Sequence, residues 1–556
     1  MNSIVLVFYY CIGKKQHILA SLRKAEQNIF VPPGLARGFL KSFPKRGRKA
    51  KAAEKVDFKT QLWNAADAMR GNLDAAVYKH VLLGLIFLKY ISEKFEERYE
   101  EIAKEYEEDG EEAVRASQED PDEYIAENIF WVPEEARWQK IASAASSSAI
   151  GLVIDRAMRA IEAVPENVKL KGILPKNYAS PEIDQRMLGK VVDLFSNIDL
   201  SSERQNDLLG EAYMYCLKNF ATAEGKNAGA FYTPICIVRT LVSILEPFNG
   251  RVADPCCGSG GMFVQSVDFI EKHRGNRKNI TVLGQESNPV TWKMAVMNMA
   301  IHGIEADLGD GPANTFFNDK HARERVDFYL ANPPFNQKGW RGTELEDDPR
   351  WDYGIPSDSN ANFAWMQHMI HHLSQKGRIG MVLANGSLSS TQNNEGDIRQ
   401  KIIEADLVEG IVALPDRLFT STGIPCSLWF LNKAKERPKT TLFVDARNMG
   451  TMVNRALREL TNEDIEKLAT LFKEYRAGAL ECKKGFTAIA TIDEIKKQGY
   501  VLTPGRYVGI EEQEDAEEPF EKKMQNLSLE LNDLFAQSKD LEKVIVKNLS
   551  ELGYGK

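Results

Sequence analysis

Residues 251–270 hold the stretch that most restricts what this chain can become. Arg251-Val252-Ala253-Asp254 reads as a short strand ending at Pro255, Cys256-Cys257-Gly258-Ser259-Gly260-Gly261 as a turn, and Met262–Ile270 as an apolar helix. A strand, a Gly-rich turn and a helix in that order make one unit of an open α/β sheet, with a ligand site beyond the strand's C-terminal end. The glycines admit positive φ and let the backbone approach a bound group closely. The first turn of the helix adds free N–H groups aimed at it. No Gly-Lys-Ser/Thr follows, so the turn is not a P-loop.

The next strand supplies an acid. Ile280-Thr281-Val282-Leu283-Gly284-Gln285 runs into Glu286, and the tip of a second strand is where such a sheet receives ribose hydroxyls. The polar stretch His273–Asn279 lengthens the interval beyond the usual ~20 residues. Asn288-Pro289 reads as an N-cap and the first residue of a helix. Upstream, Gly229-Ala230-Phe231-Tyr232-Thr233-Pro234 precedes a helix beginning near Ile235, and can set an aromatic wall and backbone donors at the same edge. Downstream, Gly309–Phe317 reads as a loop there, with Asn314 able to hydrogen-bond an adenine ring and Asp310 as its rival.

The last piece closes the apolar strand Val326–Ala331: Asn332-Pro333-Pro334-Phe335. Neither proline has an N–H to give a sheet, and each fixes φ near −65° and extends the residue before it. The product is a stiff corner with an amide before it and an aromatic ring after it. Alone, this tetrapeptide reads equally as a Pro-rich turn. In order with the other pieces on one sheet edge, it reads as a site.

The length of 556 residues implies about two to four domains, and 43% hydrophobic residues suffice for sizeable cores. Seven cysteines, scattered and without a C-x-x-C pair, fit reduced thiols in a cytoplasmic protein and no zinc site. The net charge of −8 argues against nucleic-acid binding by bulk field alone. No apolar run reaches the ~18–20 residues of a membrane span. The apolar run Ile4–Ile12 has its lysines, Lys14 and Lys15, on the wrong side for a signal peptide. Four regions are expected: a basic extension without fixed fold over 1–55, carrying seven Lys and Arg against Glu54 in residues 41–55; a helical domain over 56–195; an α/β catalytic domain over 196–448; and a helical C-terminal region over 449–556 for subunit assembly.

Taken in order, Phe231-Tyr232-Thr233-Pro234, Asp254-Pro255 with Gly258-Ser259-Gly260-Gly261, Glu286 and Asn332-Pro333-Pro334-Phe335 resemble the motifs of DNA adenine-N6 methyltransferases. More narrowly, the chain resembles the modification subunit of type I restriction–modification systems from about Phe58 to Val508. Trp351, Tyr353-Gly354, Pro356, Asn360–Trp365 and Leu502–Tyr507 share in the resemblance. It implies a Rossmann-like S-adenosylmethionine-dependent methyltransferase sheet flanked by an N-terminal all-helical domain and C-terminal helices. It implies cofactor contacts from Gly229, Ala230, Phe231, Tyr232, Thr233, Pro234, Asp254, Gly258, Ser259, Gly260, Gly261, Glu286 and Asn314. Many relatives carry Asp where this chain has Asn314. The catalytic corner would be Asn332, Pro333, Pro334 and Phe335, with no metal.

The chemistry of that corner is positional. An adenine N6 amine is a poor nucleophile because its lone pair is delocalised into the ring. The Asn332 side-chain oxygen and the Pro333 carbonyl would accept its two hydrogens, favouring a pyramidal nitrogen in line with the methyl group. The target base must leave the duplex, and Phe335 would stack on it. No α/β recognition module follows the sheet, so the resemblance implies DNA reading by a separate specificity subunit. That subunit would hold two modification subunits, with a restriction subunit able to join them. The Phe520–Leu552 helix is the expected docking element. Three other readings stand beside this one: a self-sufficient adenine methyltransferase, a protein-glutamine methyltransferase, and a catalytically idle scaffold. Trp340, Trp351 and Tyr353 read either as a DNA-facing loop or as packing.

Overall fold

The computed structural model describes residues 58–69, 75–197, 204–224, 232–419, 423–455, 457–510 and 520–551. The basic run before Phe58, and Gly229, Ala230 and Phe231 of the expected cofactor segment, lie outside the described residues.

The N-terminal half is helical: α1 (Phe58–Met69), α2 (Ala75–Glu105), α3 (Ile150–Ala163), α4 (Gln185–Ser196) and α5 (Arg204–Glu224), joined by shorter helices. Val81, Leu82, Leu85, Ile86, Leu88, Ile91 and Phe95 recur at three- and four-residue steps along α2, and all are buried. The acidic stretch after residue 96 is partly helix, since α2 runs on to Glu105. Arg98, nearly buried there, bonds Glu105 at 2.7 Å and the Glu123 carbonyl at 3.3 Å. Asp184 caps α4 by accepting from the Arg186 and Met187 N–H groups.

The strands are β1 (Gly250–Asp254), β2 (Ile280–Gly284), β3 (Ala306–Asp307), β4 (Val326–Ala331), β5 (Leu373–Ala384), β6 (Val408–Ala413), β7 (Cys426–Asn432), β8 (Thr440–Asp445), β9 (Thr451–Met452), β10 (Arg458–Glu459) and β11 (Thr487–Thr491). Nine form one sheet in the order β11-β8-β6-β7-β5-β4-β1-β2-β3. The block β3-β2-β1-β4-β5 is parallel, and β7 enters antiparallel between β5 and β6. From β1 the chain moves outward to β2 on one side, while β4 lies on the other. The crevice between β1 and β4 is therefore the topological switch point, where open α/β sheets bind ligands.

Helices cover both faces. On one, α6 (Ile235–Leu245), α7 (Gly261–Lys272), α8 (Pro289–Ile301) and, much later, α11 (Asn462–Ala477) share a core with Val252, Val282 and Leu330. On the other, α9 (Asn362–His372) and α10 (Glu395–Glu404) pack with Phe316, Tyr329 and Ile379. The helical half joins the first face: α2 packs on α5 and α8, and the Tyr213 hydroxyl donates to the Met294 carbonyl at 2.8 Å.

The C-terminal boundary differs from expectation. The sheet continues beyond residue 448, because β11 pairs antiparallel with β8 from Thr487↔Val444 to Thr491↔Thr440. Thr487-Ala488-Ile489-Ala490-Thr491 is short and its residues small, so the helical periodicity on either side hides it. A buried pair locks this region down. Arg476 of α11 donates to both Glu409 carboxylate oxygens at 2.9 Å and to the Ile244 carbonyl of α6 at 2.8 Å. The last helix, α12 (Phe520–Glu551), exposes Leu527, Leu529, Leu534, Phe535 and Leu541.

Candidate active site

Two loops meet where β1 and β4 end. The register Ala253↔Tyr329 puts Asp254 and Asn332 on the same sheet edge. A cavity there is lined by Tyr232, Thr233, Asp254, Gly258, Ser259, Gly261 and Asn332. Met214 of α5, Val238 of α6 and Gln265 of α7 complete its wall. Nothing in the local sequence marks these three, which arrive by tertiary packing.

The glycine turn is held from below. Asp254 Oδ1 accepts from the Cys256 N–H at 3.0 Å, and Glu286 Oε2 accepts from the Gly258 N–H at 3.1 Å. Gly260 starts α7 at φ 79°, and a Cβ there would lie 2.6 Å from Met299 Cε. The left-handed backbone favours glycine at Gly260, and a side chain there would also have to push the Met299 methyl aside. Asn298 Nδ2 donates to the Ser259 carbonyl at 2.7 Å. Burial pushes the Cys256 and Cys257 thiols well above their ordinary range, which leaves them poor nucleophiles.

Glu286 is buried beyond β2, where its Oε1 also accepts from the Asn288 N–H at 2.7 Å. Asn288 does cap α8, with Pro289 as first helical residue. Burial raises the Glu286 carboxyl above its usual range, against the N–H groups that hold it down. Its backbone carbonyl accepts from Ala313, which places exposed Asn314 beside it. Asn314 Oδ1 accepts from the Phe316 N–H at 3.0 Å. The rival Asp310 points elsewhere and pairs with Lys320 at 2.6 Å.

At the corner, Asn332 Nδ2 donates to Thr233 Oγ1 at 3.1 Å, while Asn332 Oδ1 is buried with no hydrogen-bond partner among the described residues. The amide is therefore anchored by its nitrogen and presents a bare oxygen. Pro333 is buried and Pro334 exposed. Phe335 is partly buried and meets Phe419 edge to face at 5.6 Å. Phe419 escaped the sequence reading, although it follows the strand pattern Val408–Ala413 through Leu414-Pro415 as Phe335 follows its own strand through prolines. Trp340 and Trp351 are buried, so packing is what they do.

One histidine–aspartate group among the described residues has metal-ligand proximity: Asp319, His368 and His372. His372 Nε2 lies 3.0 Å from Asp319 Oδ2, and Arg350 Nη1 donates to His368 Nδ1 at 3.2 Å. A guanidinium in contact with a ligand opposes a second cation there, and the set reads as a hydrogen-bonded ion-pair network.

Comparisons with known proteins identify the family. Residues 204–516 match the N-6 DNA Methylase family, and residues 58–195 match the HsdM N-terminal domain. The chain is 47% identical over 447 residues to the type I restriction enzyme HindI methylase subunit of Haemophilus influenzae, covering 76% of this chain and 100% of that one. It is 38% identical over 517 residues to the MjaIX methylase subunit of Methanocaldococcus jannaschii, covering 90% and 92%. In structure it resembles a type I methyltransferase subunit from Streptococcus thermophilus, with TM-score 0.68, 26% identity and coverage of 81% and 99%. The chain therefore belongs to the N-6 DNA methylase family, as the adenine-specific DNA methyltransferase subunit of a type I restriction–modification system.

Proposed function

We propose that the cavity between β1 and β4 binds S-adenosylmethionine and that Asn332-Pro333-Pro334-Phe335 holds the adenine to be methylated. The observation that carries this reading is the buried Asn332 Oδ1, unpartnered among the described residues. Thr233 holds the amide nitrogen, and the oxygen, without a donor among the described residues, can accept from an N6 amine. The Pro333 carbonyl would accept the second N6 hydrogen, and Phe335 would stack on the extruded base.

The residues fit the cofactor. The glycine turn Gly258–Gly261 before α7 lets backbone approach closely, Asp254 offers an anion to a cationic centre, and Glu286 suits ribose hydroxyls. Tyr232, Thr233 and Pro234 would wall the pocket, and Asn314 would meet the adenine ring. Bound there, S-adenosylmethionine supplies an electrophilic methyl group on a sulfonium. The chain supplies position and a neutral acceptor, and no titrating base is required.

DNA reading belongs to a separate specificity subunit in this proposal, with two copies of this chain per complex. Support comes from α12, whose apolar side chains are exposed along a 32-residue helix. The decisive experiment is methyl transfer to cognate DNA by Asn332→Ala assembled with the specificity subunit. Transfer should fall by roughly 10²–10³ or more while cofactor affinity stays within about twofold. Undiminished transfer sinks the assignment. Full activity of the wild-type chain alone would favour a self-sufficient enzyme.

A further inference from the structure

The segment between Phe335 and α9 folds back onto the cofactor side of the sheet, and Arg350 is where it takes hold. Arg350 is buried and engages Asp348 through two bonds, Nε to Oδ1 at 2.8 Å and Nη2 to Oδ2 at 2.7 Å. The remaining donors go to two successive carbonyls, Thr315 at 3.2 Å and Phe316 at 2.6 Å, and to His368 Nδ1. Those carbonyls belong to the loop that carries Asn314. The same loop is tied to the cofactor edge by Thr315 Oγ1 donating to the Pro255 carbonyl at 2.6 Å and by the Ala313 N–H donating to the Glu286 carbonyl at 2.9 Å.

The contact is made rigid around Phe316. Its ring lies 4.3 Å from that of Trp365 and 4.7 Å from that of Trp340. Trp340 Nε1 donates to the Ser357 carbonyl and Trp365 Nε1 to Gln337 Oε1, both partners lying at or beside this segment's ends. The segment's first residue, Asn336, is pinned in turn. Its N–H donates to Asn362 Oδ1 at 3.2 Å, and its Oδ1 accepts from Asn362 Nδ2 at 3.0 Å. Hydrogen bonds and ring contacts thus run from the acceptor corner to the cofactor loop, and the guanidinium is the charged group that joins the two.

We propose that Arg350 is a positioning residue for methyl transfer: it sets the Asn314 loop, and hence the cofactor's adenine end, at a fixed place relative to the Asn332 corner. This rests on the cofactor reading above. All five guanidinium N–H donors are used, on both Asp348 oxygens, two carbonyls and His368 Nδ1, so lysine with three donors is not an equivalent. Loss of the clamp frees two buried carbonyls and loosens the cofactor loop, while the Asn332 amide keeps its anchor on Thr233.

The test uses Arg350→Lys and, as a milder variant that keeps side-chain shape, Asp348→Asn. Each is assembled with the specificity subunit and assayed for methyl transfer at varied S-adenosylmethionine, beside calorimetric titration of the full chain. A wild-type chain that binds no S-adenosylmethionine overturns the cofactor reading, and this inference with it. Given binding, KM for S-adenosylmethionine should rise about tenfold or more in Arg350→Lys and by a smaller factor in Asp348→Asn, with kcat at saturation within about threefold. A residue that merely holds the fold lowers the fraction of active enzyme, so kcat falls and KM stays. That pattern in whichever variant folds overturns the proposal.

Discussion

Asp254 sits at the end of β1 in the cavity proposed for the cofactor, and burial, with Glu286 nearby, pushes its carboxyl up to about 7 despite the Cys256 N–H that favours its charged form. A ligand that places positive charge against this group needs the carboxylate. Below pH 7 part of the binding energy then goes into removing a proton, and the apparent dissociation constant carries the factor 1 + 10^(pKa − pH). That factor is about 11 at pH 6 and about 1.3 at pH 7.5, so affinity should rise about eightfold, or about 1.2 kcal/mol, across the interval. The interval stops there because a free α-amine such as the cofactor's begins to lose its own proton near ~7.7–8.0. Calorimetry at pH 6 in two buffers of different ionisation enthalpy should show close to one proton released per S-adenosylmethionine. Asp254→Asn should bind weakly and with no pH dependence over this range. A flat wild-type profile refutes the reasoning. So does a slope that persists in Asp254→Asn, since the proton would then belong to Glu286. Stability gives a second check with its own sign. A carboxyl raised on folding contributes stability that is complete below its unfolded pKa of about 3.9 and is lost as pH rises through about 7. The Tm of the ligand-free protein should therefore fall between pH 6 and 7.5, and saturating cofactor should offset the fall.

Glu409→Ala removes the hydrogen-bonded ion-pair partner of buried Arg476 and leaves the Ile244 carbonyl as its remaining hydrogen-bond acceptor among the described residues. A loss of about 3–5 kcal/mol is expected, read from the urea midpoint, because breaking one side of a buried pair strands the other charge. The same change should weaken methyl transfer in the folded fraction, since α11 braces α6 and α6 follows Thr233 and Pro234. Deleting residues 511–556 should abolish co-purification with the specificity subunit and leave S-adenosylmethionine affinity within about twofold, as no described residue of α12 lines the cavity. A complex that survives the deletion assigns the docking surface to another face.

What the sequence reveals at this site is what backbone chemistry dictates. Gly258 and Gly260 mark their turn because few residues tolerate their positive φ, while the two prolines after Asn332, and Pro289 after Asn288 at the start of α8, mark theirs by a locked φ and a missing N–H. The features that stay hidden depend on contacts between distant positions. Met214 enters the cavity from α5, Phe419 meets Phe335 across 84 residues, and Thr233 turns out to anchor Asn332 from 99 residues away. Arg350 reads in sequence as one more charge in an acidic loop, and only its burial against Thr315 and Phe316 shows otherwise. The sheet's far edge fails for a different reason. β11 is a five-residue strand between helices, too short for its alternation to compete with their periodicity.

Why an amide stands at residue 332 follows from its neighbours. Asp254 and Glu286 already place two carboxyl groups at this edge, both raised by burial. A third carboxyl in the same cavity would repel them, drift toward its neutral form, and present a hydroxyl donor where the N6 amine needs an acceptor. Asn332 avoids that conflict, because its oxygen accepts at every working pH and its nitrogen takes the Thr233 anchor that fixes the oxygen's direction. In the proposed function the two carboxyl groups would meet the cationic and hydroxyl-bearing parts of the cofactor, and the neutral amide the base. On this reading the pH response of the enzyme comes from the cofactor half of the site, and the acceptor half is silent to pH.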